Sequence, residues 1–160
     1  MRLVKAEEIK EMDRISIQEI GIPGSVLMEN AARGATGLFL DHFSPPDHSR
    51  VAVLCGRGNN GGDGYVVARY LHEAGHAVSV VVLSALEKIA GDALTNLEII
   101  KRMELDIFEV PGRDEWPQAR SLITVCDFVI DGIFGTGLNS PVRDFYAEVI
   151  KEVNALNKAV

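Results

Sequence analysis

The residues best suited to chemistry lie in one glycine-rich segment, residues 56–64, which directly follows an apolar run, residues 51–55. Glycines let the backbone take positive φ angles and approach a ligand closely. A helix is predicted to begin at Tyr65, and its free N–H groups and dipole would favour an anion at this point. The segment is therefore predicted to bind phosphate at the centre of the functional site.

Gly56, Gly58 and Gly61 satisfy the G-x-G-x-x-G pattern of dinucleotide-binding loops, which by itself is a weak signal. In a site for an ordinary redox nicotinamide cofactor, an Asp or Glu at the end of the next strand, roughly 20 residues on, binds the ribose hydroxyls. The next predicted strand ends in Leu83 and Ser84 and carries no carboxylate there. A conventional oxidoreductase is therefore disfavoured.

The same segment contains Asn59, Asn60 and Asp63, whose oxygens a simple phosphate cradle would not need. Amide and carboxylate oxygens suit hydroxyl groups, amides or a hard cation, whereas the His and Cys residues lack the spacing of a zinc site. A purely architectural tight turn is the alternative reading of this loop.

A second glycine-rich segment, residues 131–139, follows another predicted strand, residues 125–130. At its start, Asp131 can accept hydrogen bonds, coordinate a cation or move a proton. Gly135, Thr136 and Gly137 add N–H groups and a hydroxyl for an anion. The alternative for Asp131 is a structural role, in which the carboxylate bonds backbone N–H groups at the strand exit.

Helical and strand patterns alternate along the chain. Helices are predicted within residues 6–18, 27–39 with Ser25 as the cap, 65–74, 92–103, 116–122 and 145–153, and strands within residues 51–55, 77–84, 107–110 and 125–130. This order predicts a Rossmann-like three-layer α/β/α sandwich with a mostly parallel sheet, formed as a single domain over residues 1–160. Ligands bind beyond the carboxyl ends of such strands, so both glycine-rich segments are expected to face one ligand.

Composition narrows the class of partner. A net charge of -7 and a pI near 5.1 give no electrostatic reason to expect nucleic acid or an acidic membrane surface as a partner. The amino terminus has no apolar signal core, and no apolar run approaches the roughly 18 residues of a membrane span. Cys55 and Cys126 lie in apolar runs and are predicted to be buried free thiols. The expected location is the cytosol.

Residues 59–64 and 131–138, together with the segment Leu-Met-Glu-Asn-Ala-Ala at residues 27–32, closely resemble the YjeF N-terminal domain family, the NAD(P)H-hydrate epimerases. The resemblance implies interconversion of the R and S forms of hydrated NADH and NADPH. It also implies functional coupling to an ADP- or ATP-dependent dehydratase, which acts on the S form, and a homodimer. The residues that it assigns to the substrate are Asn59, Asn60, Gly61, Gly62, Asp63, Gly135, Thr136, Gly137, Leu138, Asn139, Ser140 and Pro141.

The resemblance further implies one potassium ion per subunit, with Asn60 and Asp131 among its ligands. Inversion at a carbon that bears a hydroxyl and a ring nitrogen requires the hydroxyl to leave and return on the other face, which calls for an acid/base group. Asp63 and Asp131 are the catalytic candidates. NADH-hydrate and NADPH-hydrate remain equally open as the preferred substrate.

Residues 154–160 mark a departure from the family pattern, because the family continues into a strand and an Asp-Ile-Pro-Ser-Gly segment. The Asp of that segment contacts the nucleotide and its Ser completes the potassium site. The expectation is a domain incomplete at its carboxyl end, without its later strands, that alone binds the nucleotide poorly and epimerises slowly or not at all. A non-catalytic nucleotide-binding or interaction module of Rossmann-like fold is the alternative function.

Overall fold

A computed structural model describes residues 4–160 and contains a four-stranded sheet. The strands are β1 (Arg50–Cys55), β2 (Ala77–Val82), β3 (Asp106–Glu109) and β4 (Phe128–Gly132). Their order is β3-β2-β1-β4, and every neighbouring pair is parallel. Residues 51–55 of the central strand β1 are completely buried, which explains why this strand reads as a continuous apolar run.

Helices connect the strands and cover both faces of the sheet. They are α1 (Ala6–Arg14), which continues into a π-helical turn (Ile15–Glu19), α2 (Gly24–Phe43), α3 (Asn59–Glu73), α4 (Gly91–Arg102), α5 (Trp116–Val125) and α6 (Asp144–Asn154), with a short 3₁₀ helix at Leu86–Lys88. The predicted three-layer α/β/α sandwich with a parallel sheet is confirmed.

Two apolar cores lie on opposite faces of the sheet. On one face, Val53 and Val80 pack with Leu71 of α3 and Leu97 of α4, and α2 adds Met28. On the other face, the core is formed by residues of β1, β2 and β4 together with α5 and α6, namely Ala52, Leu54, Val81, Val129, Trp116, Ile123, Val149 and Val153. Successive strand residues point to opposite faces, so each strand contributes to both cores. Both cysteines are buried free thiols, as predicted.

Three predicted boundaries were wrong. Helix α3 begins at Asn59 instead of Tyr65, because the glycines allow a tight first turn against β1. Val125 ends α5, and the following strand begins at Phe128, so Asp131 lies inside β4 instead of in the loop after it. Ser25 lies within α2, whose N-cap position is held by Pro23 without a side-chain hydrogen bond.

The last residues of the chain return to the sheet, where Ala159 pairs in parallel with Phe128 and the N–H of Val129 donates to the Ala159 carbonyl at 3.0 Å. Met1–Leu3, part of the segment inspected for a signal sequence, lie outside the described residues. Among the helices of residues 4–160, none has the length and apolar character that crossing a membrane requires.

Candidate functional site

An open cleft of about 1230 Å³ lies at the carboxyl ends of β1, β2 and β4. The predicted site residues that line it are Asn59, Asn60, Asp63, Gly135, Thr136, Gly137, Leu138, Asn139 and Ser140. The two glycine-rich segments therefore face the same space, as the strand order predicts. Gly61, Gly62, Asp131 and Pro141, which were also predicted as site residues, do not line the cleft.

The loop after β1 is shorter than predicted and is held by backbone contacts. The N–H of Gly56 donates to the Gly132 carbonyl at 3.1 Å, which ties the exits of β1 and β4 together. A side chain at Gly56 would collide with the carbonyl of Ile133, and one at Gly61 would collide with the carbonyl of Gly56. These two glycines are therefore required by the close approach of three backbone segments.

Gly62 has a packing role as well. A Cβ at this position would lie 2.7 Å from Cε of Met28 and 3.1 Å from Cα of Ala93, so α2, α3 and α4 meet here. Gly61 and Gly62 are both buried. Their place in the glycine-rich segment is thus explained by helix packing beneath the cleft.

The polar residues of the first segment occupy the first two turns of α3. Asn59 is exposed at the rim, whereas Asn60 and Asp63 are half-buried. Gly58 occupies the N-cap position of α3 and has no side chain to cap the helix, so the first N–H groups of α3 have no side-chain cap at the end of the helix that lines the cleft. The sequence therefore forms a helix terminus that favours an anion, with amide and carboxylate side chains one turn further in.

Asp63 is the carboxyl group in this cleft with the strongest electrostatic perturbation. Burial, with a further contribution from the negative charge of Asp13, raises the pKa of Asp63 to about 6. A carboxyl group that titrates near neutral pH can both donate and accept a proton under physiological conditions. Asp63 is therefore suited to acid/base chemistry.

The second loop lies directly against Asn60. A Cβ at Gly135 would lie 3.2 Å from Cβ of Asn60 and 3.3 Å from its side-chain oxygen, so only glycine permits this contact without displacement. The N–H of Leu138 donates to the Gly135 carbonyl at 3.2 Å, which closes a tight turn. The loop is exposed from Phe134 to Pro141 and forms one wall of the cleft.

Tyr146 of α6 anchors this wall. Its hydroxyl donates to the Leu83 carbonyl at 2.7 Å, and its ring lies 5.1 Å from that of Phe134, measured between centroids. Tyr146 thus connects the exit of β2 to the loop after β4. Phe134 therefore packs against α6.

Asp131 has the geometry of a structural carboxylate. Its Oδ1 accepts the N–H of Ile133 at 2.9 Å, which is the local role that the sequence left open as an alternative. Its other carboxylate oxygen makes no hydrogen bond within residues 4–160, so it remains available to a ligand.

Several cleft residues were missed by sequence reasoning. Asp13 and Ile9 lie one helical turn apart on α1. Arg57 is in the loop before α3, Lys88 ends the 3₁₀ helix after β2, and Asp92 lies in the first turn of α4. The i, i+4 spacing on α1 could have indicated a shared face, and Lys88 follows a strand whose exit was already predicted to matter. Which of these side chains reach the cleft depends on tertiary packing.

The donor groups near the two loops suit a hard cation. The side-chain oxygen of Asn60 and the free oxygen of Asp131 are the two predicted ligands, and oxygen donors favour ions of this class. In the described part of the chain, no cluster of three or more His, Cys, Asp or Glu residues has the arrangement of a metal centre. These oxygen donors suit a hard cation better than zinc.

A second polar network lies behind the cleft, between α2 and α3. Glu29 accepts hydrogen bonds from Arg69 at 2.7 Å and from Tyr70 at 2.5 Å. Burial alone would raise the pKa of Glu29, but the hydrogen bonds from Tyr70 and Arg69 outweigh it and lower this pKa. Glu29 therefore joins two helices and does not line the cleft.

The sequence profile of the family described as "YjeF-related protein N-terminus" matches residues 24–160. An NAD(P)H-hydrate epimerase of Rhodopirellula baltica is 39% identical over 149 residues, which are 93% of this chain and 58% of that protein. The bifunctional NAD(P)H-hydrate repair enzyme Nnr of Moorella thermoacetica is 41% identical over 99% of this chain and 30% of its own length. The chain thus spans less than two thirds of the first relative and less than one third of the second.

A third relative is closer in length. The NAD(P)H-hydrate epimerase of Limosilactobacillus fermentum is 34% identical over 98% of this chain and 70% of that protein. Among solved structures, the crystal structure of yeast ynu0, YNL200c, superposes with a TM-score of 0.85 over 98% of this chain and 66% of that chain, at 20% identity. At that identity the structural likeness shows the fold.

Proposed function

The chain belongs to the family of YjeF-related protein N-termini, and from this premise we propose that it epimerises hydrated NADH and NADPH as part of nicotinamide nucleotide repair. Relatives named NAD(P)H-hydrate epimerase and bifunctional repair enzyme support the proposal. The observation that carries it is the contact between the two loops, in which Asn60 packs on Gly135 at one cleft. A nucleotide can therefore contact both loops at once.

Asp63 is the proposed acid/base group. Protonation of the ring hydroxyl lets it leave as water while the lone pair of the ring nitrogen forms the C=N bond, and water then adds to the opposite face and returns a proton. The chemistry needs no oxidant or reductant. Asp63 lines the cleft and has a pKa near 6, whereas Asp131 is already bonded to the Ile133 N–H and does not line the cleft. The structure thus favours Asp63 of the two candidates.

Potassium is proposed as the cofactor, one ion per subunit, with Asn60 and Asp131 as ligands. The oxygen donors of both side chains are suited to a hard cation. A bound cation would supply positive charge to oxygen atoms of the hydrated nucleotide. Asn60 would in addition hold the second loop in place through its contact with Gly135.

The direct test is epimerisation of the R form of hydrated NADPH, coupled to an S-specific dehydratase, with potassium and with sodium in its place. The expected result is turnover that is greater with potassium than with sodium. No turnover with either ion would overturn the proposal and favour the non-catalytic binding module.

Two variants separate the roles of the side chains. Asp63→Asn is expected to lower kcat at least tenfold, since general acid–base catalysis contributes typically about 10²–10⁴-fold. Asp106→Asn is the matched control, because Asp106 is exposed at the start of β3 and does not line the cleft. Strand β3 forms the edge of the sheet away from β4. Equal activity of both variants would assign the acid/base step to another group.

The proposed partners follow from the same family. A dehydratase would act on the S form, either as a separate protein or within the same polypeptide, as the bifunctional relatives suggest. A homodimer is proposed through the exposed face of α2, where Ala31, Ala35 and Leu38 are solvent-exposed while Ala32 is buried against the sheet. A cytosolic location is proposed as well, and the two free thiols support it. Light scattering on the purified chain measures the oligomeric state.

A further inference from the structure

The cleft contains two basic side chains, Arg57 and Lys88, that have no ion-pair or hydrogen-bond partner for their side chains within residues 4–160. Three carboxylates line the same cleft, yet none of them lies within 4.0 Å of either basic group. By contrast, Arg69 and Lys101 elsewhere in the molecule are paired with glutamates. The two cationic groups of the cleft are therefore free to bind an anionic ligand.

The positions of these groups follow from the fold. Arg57 is in the loop between β1 and α3, next to the N-terminus of α3. Lys88 ends the 3₁₀ helix that follows β2, the strand beside β1 in the sheet. In sheets of this type, the pyrophosphate of a dinucleotide lies at the helix after the first strand and the adenosine ribose lies toward the exit of the next.

The exit of β2 lacks the hydrogen-bond acceptor that would bind the two hydroxyl groups of a ribose without an extra phosphate. A carboxylate that would grip the hydroxyl groups is missing at Leu83 and Ser84. The carboxylate of Glu109 is engaged nearby, because its Oε1 accepts the N–H of Leu86 at 3.0 Å. Glu109 thus holds the start of the 3₁₀ helix that ends at Lys88, and the group offered to the ribose is an ammonium.

From this placement we propose that Lys88 binds the phosphate on the adenosine ribose, so that the chain acts on hydrated NADPH in preference to hydrated NADH. The two substrates differ only in this phosphate. The inference rests on the proposed function for its substrate, but the recognition of the ribose phosphate can be measured without turnover. A phosphate oxygen on Lys88 forms a charge-assisted hydrogen bond, worth roughly a tenfold difference in affinity or more.

The test is a titration of the 160-residue chain with 2′,5′-ADP and with 5′-AMP, followed in ¹H–¹⁵N correlation spectra. These ligands differ in whether the ribose carries the extra phosphate, and the spectra also report whether each variant is folded. The wild-type chain is expected to bind 2′,5′-ADP about tenfold more tightly. Lys88→Gln is expected to bind the two ligands equally, and Lys88→Arg to keep the preference.

Lys101→Gln is the matched control, since it removes the same charge from α4 outside the cleft, where Lys101 pairs with Glu98 at 2.8 Å. A preference for 2′,5′-ADP that persists in Lys88→Gln, or is absent in the wild type, overturns the inference even if the chain epimerises its substrate. A preference that is lost only in Lys88→Gln supports it even if epimerase activity is not found. The two proposals therefore fail separately.

Discussion

Gly61→Ala is expected to destabilise the folded chain because Gly61 is the point at which α3 contacts the loop after β1. A Cβ at this position would collide with the carbonyl oxygen of Gly56 and would lie 2.9 Å from its carbonyl carbon and 3.1 Å from its nitrogen. All three atoms belong to the backbone, so no side chain can rotate away. The first turn of α3 must move outward, and with it Asn59 and Asn60.

Two opposing effects determine the magnitude. Alanine stabilises a helix interior by about 1 kcal/mol relative to glycine, whereas overpacking a well-packed site typically costs about 1–3 kcal/mol. The upper end applies here because the contact is between backbone segments at the centre of the molecule. The net loss is therefore about 2 kcal/mol, which for a domain of this size lowers the melting temperature by roughly 4–8 °C.

Thermal and urea unfolding, followed by far-UV circular dichroism without ligand, measure this loss. Gly58→Ala is the control in the same loop, because a Cβ there meets no heavy atom within 4 Å and its φ of -94° suits any residue. It is expected to change the free energy of unfolding by less than about 0.5 kcal/mol. Wild-type stability in Gly61→Ala, or the same loss in both variants, would refute the packing role.

Three further predictions concern side chains. Tyr146→Phe removes the hydrogen bond to the Leu83 carbonyl and should lower the free energy of unfolding by about 1 kcal/mol in urea titrations. Arg69→Met should lower it by about 1 kcal/mol or less, because Glu29 is partly exposed and its ion pair is screened by solvent. The pKa of Asp63 should be about 6 by carboxyl NMR, above its ordinary value of 3.8, so the folded state holds the proton more tightly and stability falls as pH rises from about 4 to 6. Asp63→Asn should flatten this decline, and an unchanged pH dependence would contradict the burial of that carboxyl.

Much of the fold was predictable because local patterns report burial. Residues 51–55 read as a continuous apolar run, and that run is the central strand covered on both faces. The helix ends were less predictable. Asn59 and Asn60 are weak helix formers, and the tight approach of Gly61 to the backbone of Gly56 accompanies the start of α3 at Asn59.

The candidate site, like the fold, was predictable only in part from the sequence. The sequence identified both glycine-rich segments, since each follows an apolar strand and strand order places their exits at one edge. It did not separate Gly61 and Gly62, which pack beneath the cleft, from Asn60 and Asp63, which line it. All four residues lie in one short segment, and only the orientation of each around the helix axis distinguishes them.

By itself, the sequence determined the alternating α/β architecture through its hydrophobic periodicity, and the family through the resemblance of its two glycine-rich segments. Both are local properties of the chain. Only the tertiary structure decided that Asp13 of α1 lies near Asp63, that Asp131 lies within β4 and is bonded to Ile133, and that Lys88 is left without a partner in the described chain. These facts depend on distances between residues far apart in sequence. Such distances are set by how helices pack on the sheet, which no local pattern contains.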